Sequence, residues 1–374
     1  MTDNTFIESI NISGFKSLTD INLSLGKSNL LIGSNGSGKS NILCFFKMLK
    51  FMHKDSLRGF VEQQGGADDL LFGGIRTTEK LKAKIGIRTK YGLIEYEFTL
   101  KLTAVDSLIC DEEIYIFDKN GQKITLHCYP GVIGSGFGTA IDRTNYTSDP
   151  TGKEIVRTVS KFLKKLTIYQ FNDTSEKSSF NIKRDYQDNN FLHFDGGNLA
   201  AVLFRLEQDD RKRYDFICQQ IARVLPVFDR FTIDESFGKV LLRWKANFID
   251  KTFGPHLTSD GSLRFFALVT LLNLPKEMLP NVLLLDEPEL GLHPKAVILI
   301  GNMINRVSNH VQTLVATQSP LLVDQFDVEE VTVLDLKNGC TKCRKLELED
   351  YKHWLDDDFS IGDLWLKNVI GGRP

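Results

Sequence analysis

Short apolar runs separated by polar and glycine residues open the chain: Phe6-Ile7, Ile10 to Ile12, Ile21 to Leu25 and Leu30 to Ile32. That spacing predicts strands. Residues 41 to 51 then take a helical pattern. Residues 81 to 129 alternate with period two, as in Leu81-Lys82-Ala83-Lys84-Ile85 and Ile94-Glu95-Tyr96-Glu97-Phe98, and predict an antiparallel sheet. Gly131 to Gly152 is glycine-rich without periodicity and predicts a mobile loop. Further on, Val156 to Leu163 reads as a helix, and Leu166 to Phe171 as a strand ending in polar Asn172-Asp173-Thr174.

Residues 196 to 228 carry two helical stripes, Leu199/Val202/Leu203/Leu206 and Phe216/Ile217/Ile221/Val224, around a charged break at Asp209 to Arg213. Strand-like patterns return from Phe231 to Ile249, and Leu263 to Leu274 predicts an apolar helix. Two apolar strands, Val282 to Leu285 and Thr313 to Thr317, have the unbroken apolar character of buried parallel strands. The first ends in Asp286-Glu287-Pro288 and the second in Gln318-Ser319-Pro320. Residues 329 to 348 read as a closing hairpin, and 347 to 358 are acidic.

One stretch carries explicit chemistry. Gly33-Ser34-Asn35-Gly36-Ser37-Gly38-Lys39-Ser40 fits the phosphate-binding P-loop pattern, set between a short apolar strand and a helix. Its glycines let backbone N–H groups curve around a polyphosphate, Lys39 reaches the outer phosphates, and the Ser40 hydroxyl can bind Mg²⁺. Adjacent carboxylates at a strand tip suit two tasks: Asp286 in the Mg²⁺ shell and Glu287 polarising a water for attack on a γ-phosphate. Open α/β sheets place ligands at strand carboxyl ends, so both tips are expected to face the P-loop.

Composition narrows the setting. The chain has 374 residues, 42% hydrophobic and 25% charged, and no apolar run approaches the roughly 20 residues that span a bilayer. Met1 to Glu8 lacks a basic start and apolar stretch, so a cytoplasmic protein without membrane insertion is expected. A net charge of −2 gives no overall bias toward nucleic acid, so any DNA contact must be local. Basic clusters at Lys161/Lys164/Lys165, Arg211-Lys212-Arg213 and Lys342/Arg344/Lys345 could touch phosphates or be solvated surface. The six cysteines are scattered as in a reduced compartment. Cys340 and Cys343 make half a zinc site at best, or simply lie on a hairpin after Asn338-Gly339.

The order of motifs resembles an ABC-type ATPase head of the SMC/RecF/OLD group. Ile12 to Leu18 is similar to the group's opening strand and includes Lys16; the P-loop follows with Asn35 to Ser40 and Asn41, then Leu57-Arg58 like an arginine loop. Tyr169-Gln170-Phe171 occupies the Q-loop position, Leu257 to Ser262 resembles the signature motif, Asp286-Glu287 the Walker B pair and Glu289 to Pro294 the D-loop. The resemblance implies an α/β fold: a P-loop NTPase head with an antiparallel β subdomain, a mixed core sheet flanked by helices, and a helical insertion. It implies one ATPase domain over residues 1–374, in which an N-terminal segment (residues 1–173) and a C-terminal segment (residues 257–374) flank an insertion at residues 174–256.

It also implies roles. Asn35, Gly36, Ser37, Gly38, Lys39, Ser40, Asn41, Lys16 and Arg58 would hold ATP, and Ser40, Gln170 and Asp286 the Mg²⁺. Glu287, Gln318 and Gln170 would be catalytic. Two heads would pair head-to-tail, each ATP being completed by Ser259, Asp260 and Gly261 of the other copy. Read alone, Thr258-Ser259-Asp260 also fits an ordinary N-cap, as the lesser alternative.

Two departures modify this picture. The switch position, often histidine in ABC ATPases, is Gln318, which can hydrogen-bond but cannot carry a proton, so slow turnover is expected. About 85 residues between Gln170 and Leu257, without heptads, leave no SMC-like coiled coil. The leading expectation is a slow ATPase whose ATP-linked homodimer, or a higher oligomer, acts on DNA or on a separately encoded effector such as a nuclease, in repair or phage defence. The alternative is a nucleotide-locked scaffold with little turnover. A transporter motor is disfavoured because Leu257 to Ser262 lacks Leu-Ser-Gly-Gly-Gln.

Overall fold

The computed structural model describes residues 5–103, 106–119, 121–128, 147–173 and 177–373, which form two compact units. The first comprises residues up to 167 together with 328 onward, and the second residues 168–327.

In the first unit, the alternating segments form a six-stranded antiparallel sheet: Ile21–Ser24, Phe6–Ser13, Lys80–Thr89, Gly92–Leu102, Leu108–Lys119 and Gln122–Cys128, in that spatial order. The helix Lys39–His53 lays Ile42, Phe45, Phe46 and Leu49 into the core at helical spacing. Phe45 meets Phe15 edge-on at 5.7 Å between ring centroids and stacks on Phe98 at 6.3 Å. The strand Leu30–Ile32 is fully buried and pairs in parallel with Val331–Lys337, which turns through Asn338-Gly339 into Cys340–Lys345. The Cys340/Cys343 pair therefore lies on the hairpin strand.

The expected loop Gly131 to Gly152 lies outside the described residues from 131 to 146. Its far end is corrected: Pro150–Lys164 is a helix, N-capped by the Asp149 carboxylate accepting from the Gly152 N–H at 2.9 Å. Proline at the first helical position suits this start because its missing N–H would have had no partner there.

In the second unit, Val282–Asp286 and Gln312–Thr317 run parallel, with Asp286 opposite Ala316. The charged break separates the helices Leu199–Asp209 and Arg211–Val224, and the Asp210 side chain caps the second. Of the strand-like stretch Phe231 to Ile249, only the last residue of Phe228–Phe231, together with Lys239–Val240 and Trp244–Ala246, lies in strands. The helix Asp260–Leu272 is apolar almost all round, and its Phe266 packs among Phe228, Phe231 and Trp244. A helix apolar on every face must be enclosed by protein, which makes this one the spine of the unit. Among the described residues no helix is long and apolar enough to cross a membrane.

Candidate functional site

The P-loop joins the buried strand Leu30–Ile32 to the helix Lys39–His53 through backbone that side chains resist. Gly33, Gly36 and Gly38 have φ of 153°, 78° and 109°. A Cβ on Gly38 would lie 2.1 Å from the Thr341 hydroxyl, and one on Gly33 2.4 Å from the Leu334 carbonyl. By contrast, a Cβ on Gly36 would meet nothing within 4 Å, so there the glycine serves the positive φ of 78° rather than close packing. Lys39 is buried, and its ammonium donates to the carbonyls of Gly33 and, at 3.0 Å, Ser34. Its charge is thus held inside the loop.

A network behind the loop fixes its shape. The Thr341 hydroxyl donates to the Ser37 carbonyl at 3.0 Å and lies 2.7 Å from the Ser17 hydroxyl. Asn41 donates its amide to that Ser17 oxygen at 2.7 Å. Asn41, expected to touch nucleotide, therefore ties the P-loop helix to the turn at Ser17. Lys16 has φ 47° and places its ammonium beside the Cys44 thiol, whose pKa burial nevertheless raises. Arg58 is exposed on the helix Leu57–Gln63 and pairs with Glu62 at 2.8 Å. Ser40 is exposed in the first turn of the P-loop helix.

The second unit gathers the carboxylates. Gln170, just past the strand Leu166–Tyr169, donates its side-chain amide to Asp286 at 2.5 Å. Gln318 donates its own to Glu287. Each strand-end carboxylate is thus oriented by one glutamine. Glu287 sits at φ 45°, a left-handed conformation that costs a non-glycine residue free energy and persists only where neighbours enforce it. The neighbours here are the Glu287 N–H donating to Ala316 O at 2.8 Å and the Gln318 amide on its carboxylate.

Two residues outside the expected set organise these loops. Glu289 accepts from the Thr317 hydroxyl at 2.5 Å and the Gln318 N–H at 3.0 Å, pinning the segment after the strand Gln312–Thr317 to the turn after Asp286. Arg264 donates to the carbonyls of Phe171 and Asn172, each at 3.0 Å, and of Leu290 at 3.1 Å. It fastens the segment after Gln170 and the turn at Leu290 to the helix Asp260–Leu272. Ser259 N-caps that helix, its hydroxyl accepting from Ser262 N–H at 3.3 Å, and Asp260 opens it. Gly261 is required for close approach, since a Cβ there would lie 2.4 Å from the Gly291 carbonyl.

Burial pushes the Glu289 carboxyl up, against the Thr317 and Gln318 hydrogen bonds that pull it down, and the Glu287 charge adds to the rise. A folded-state pKa above the unfolded one means the native chain holds an extra proton in between. Stability from this group is therefore present at low pH and lost as pH rises from the ordinary glutamate range through the raised value. Glu289→Gln should flatten that decline in urea-unfolding titrations. An unchanged pH slope would show that Glu289 does not carry the proton.

A family model described as "AAA domain, putative AbiEii toxin, Type IV TA system" matches residues 28–324. Among solved structures, an SMC head bound to the C-winged helix domain of ScpA aligns with TM-score 0.59 and 16% identity, over 93% of this chain and 99% of that one. An SMC head with an extended coiled coil, bound to the C-terminal domain of ScpA from Pyrococcus furiosus, gives 0.59 and 14%, over 95% and 99%. The SMC head with coiled coil and joint from Pyrococcus yayanosii gives 0.53 and 13%, over 95% and 99%. At these identities the likeness shows the fold alone, that of the SMC heads. No curated protein matches the chain.

Proposed function

Since this chain belongs to the AAA-domain family whose model spans residues 28–324, we propose that it binds ATP at the P-loop and hydrolyses it slowly, using the pairing of ATP-bound heads as its output. The observation that carries the reading is the matched pairing of Asp286 with Gln170 and Glu287 with Gln318. An amide on one carboxylate oxygen leaves the other directed for work, which suits one group for a metal's water shell and the other for a nucleophilic water.

Lys39 and the N–H groups of Asn35 to Ser40 hold the phosphates. Within the second unit Asp286 and Gln170 offer the hard oxygen donors that Mg²⁺ takes, and Ser40 in the first unit carries the hydroxyl assigned to the same ion; the Gln170 amide nitrogen is spent on Asp286, so its carbonyl oxygen remains for coordination. When bound, Mg²⁺ neutralises charge on the outer phosphates. Glu287 accepts the proton of the attacking water, and Gln318 holds that carboxylate in place. Glu289 and Arg264 position these groups without touching the reacting atoms.

We further assign Ser259, Asp260 and Gly261 to the partner copy's nucleotide. The ScpA-bound SMC heads support a head that also engages a separate protein, here an effector such as a nuclease, and the toxin in the family's description supports a defence role. Ser259→Arg should leave ATP binding to the monomer intact but prevent a rise in mass with ATP, read by light scattering. ATP-driven dimers of this variant would exclude the shared site.

One observation favours a second reading. Gln318 cannot relay a proton, so a head that locks on ATP and assembles partners without turnover fits the same geometry.

A further inference from the structure

We propose that the second unit carries another anion site, distinct from the P-loop, built for a small phosphorylated ligand. A cavity of about 410 Å³ opens where the helices Arg211–Val224, Asp260–Leu272 and Pro294–Ser308 come together. Its volume falls in the range of small-molecule sites. Lys212, Arg213, Lys276, Arg306 and His310 line it, and Phe216 with neighbouring leucines supplies an apolar floor.

The two arginines are preset. Arg213 donates to Asp210 and to the Asn273 carbonyl, each at 2.8 Å. Arg306 donates to the side-chain oxygen of the same Asn273 and lies over Phe216, 5.3 Å from the ring centroid. Asn273 is buried, with its amide nitrogen fixed on Val269 O at 2.7 Å, so both of its oxygens orient a guanidinium. Among the described residues, the side chains of Lys212, Lys276 and His310 make no hydrogen bond or ion pair, and they line the same space.

Charge selects the ligand class. Four permanent cations surround a single carboxylate, Asp210, which Arg213 already pairs. One carboxylate group would leave most of that charge unmatched, whereas a phosphate monoester or pyrophosphate carries two or more negative charges and presents oxygens that the planar guanidinium edges can bind. Because Arg306 already covers one face of Phe216, Leu272, Leu274 and Leu279 beside it give an attached apolar body a surface to rest on. The cluster extends the basic run at residues 211 to 213, of which Arg211 itself is engaged by Glu207 and Asp215.

Binding should be measured by calorimetry on the Lys39→Ala chain, so that the P-loop does not contribute, with inorganic pyrophosphate, adenosine 5′-monophosphate and unphosphorylated adenosine as separate probes. Saturable binding of at least one phosphate probe is expected, one per chain, and none of adenosine. Lys212→Glu with Lys276→Glu, both exposed positions, should weaken that binding about tenfold or more, equivalent to roughly 1.4 kcal/mol, with unchanged far-ultraviolet circular dichroism. If that pair does not fold, Lys212→Gln with Lys276→Gln should weaken it in the same direction. Pyrophosphate binding without the nucleotide would assign a free phosphate compound, and the reverse a nucleotide. Failure of both probes to bind, or binding indifferent to the lysine changes, would overturn the proposal and leave the ATPase reading untouched.

Discussion

Replacing Lys39 by alanine should abolish ATP binding while leaving the fold intact. The ammonium is buried and donates to the loop's own Gly33 and Ser34 carbonyls, so in the free chain it rests where phosphate oxygens would approach. Charge-assisted hydrogen bonds to such oxygens are each worth roughly 1.5–3 kcal/mol. Losing two should weaken ATP by about 100-fold or more, read by calorimetry. The fold should survive because the loop's backing rests on Thr341, Ser17 and Asn41 rather than on Lys39. Retained ATP affinity would remove the P-loop from any role in binding.

Changing Glu287 to glutamine should separate binding from chemistry. The amide keeps the shape of the carboxylate and can still accept from Gln318, but it cannot take a proton from water. Loss of a general base costs on the order of 10²–10⁴ in rate. ATP should bind within a few-fold of the unchanged chain, and the ATP-bound form should accumulate as a dimer. A hydrolysis rate unaffected by the change would refute the role of Glu287.

The pieces legible in the sequence are those written in consecutive residues. Gly33 to Ser40 declares itself because every group it needs lies within eight positions, and Asp286-Glu287 because an apolar strand ends abruptly in charge. Secondary structure follows where periodicity is long, as in residues 81 to 129. The start of the helix at Pro150 is hidden by the glycines before it, although an aspartate followed by proline is the capping signal that marks it.

What supports the site is not legible, because its contacts join distant residues. Thr341 lies 324 positions from Ser17 and is an ordinary strand threonine until the fold sets it against the P-loop. Arg264 looks like one cation at the start of an apolar helix, and only the packed loops show three carbonyls converging on it. Glu289 is visible as a member of the D-loop, but its hold on Thr317 and Gln318 depends on the parallel register that sets Asp286 beside Ala316. From sequence the switch glutamine is a phosphate or water ligand, and the structure adds that its amide is engaged by Glu287.

Whether this head hydrolyses the ATP it binds is decided by a single-turnover experiment: purified protein in excess over ATP is mixed with Mg²⁺, quenched at intervals, and the nucleotides separated. Bound ATP should be converted to ADP in a single slow phase. Recovery of intact ATP after prolonged incubation, with binding confirmed in the same sample, would contradict hydrolysis and leave a nucleotide-locked scaffold.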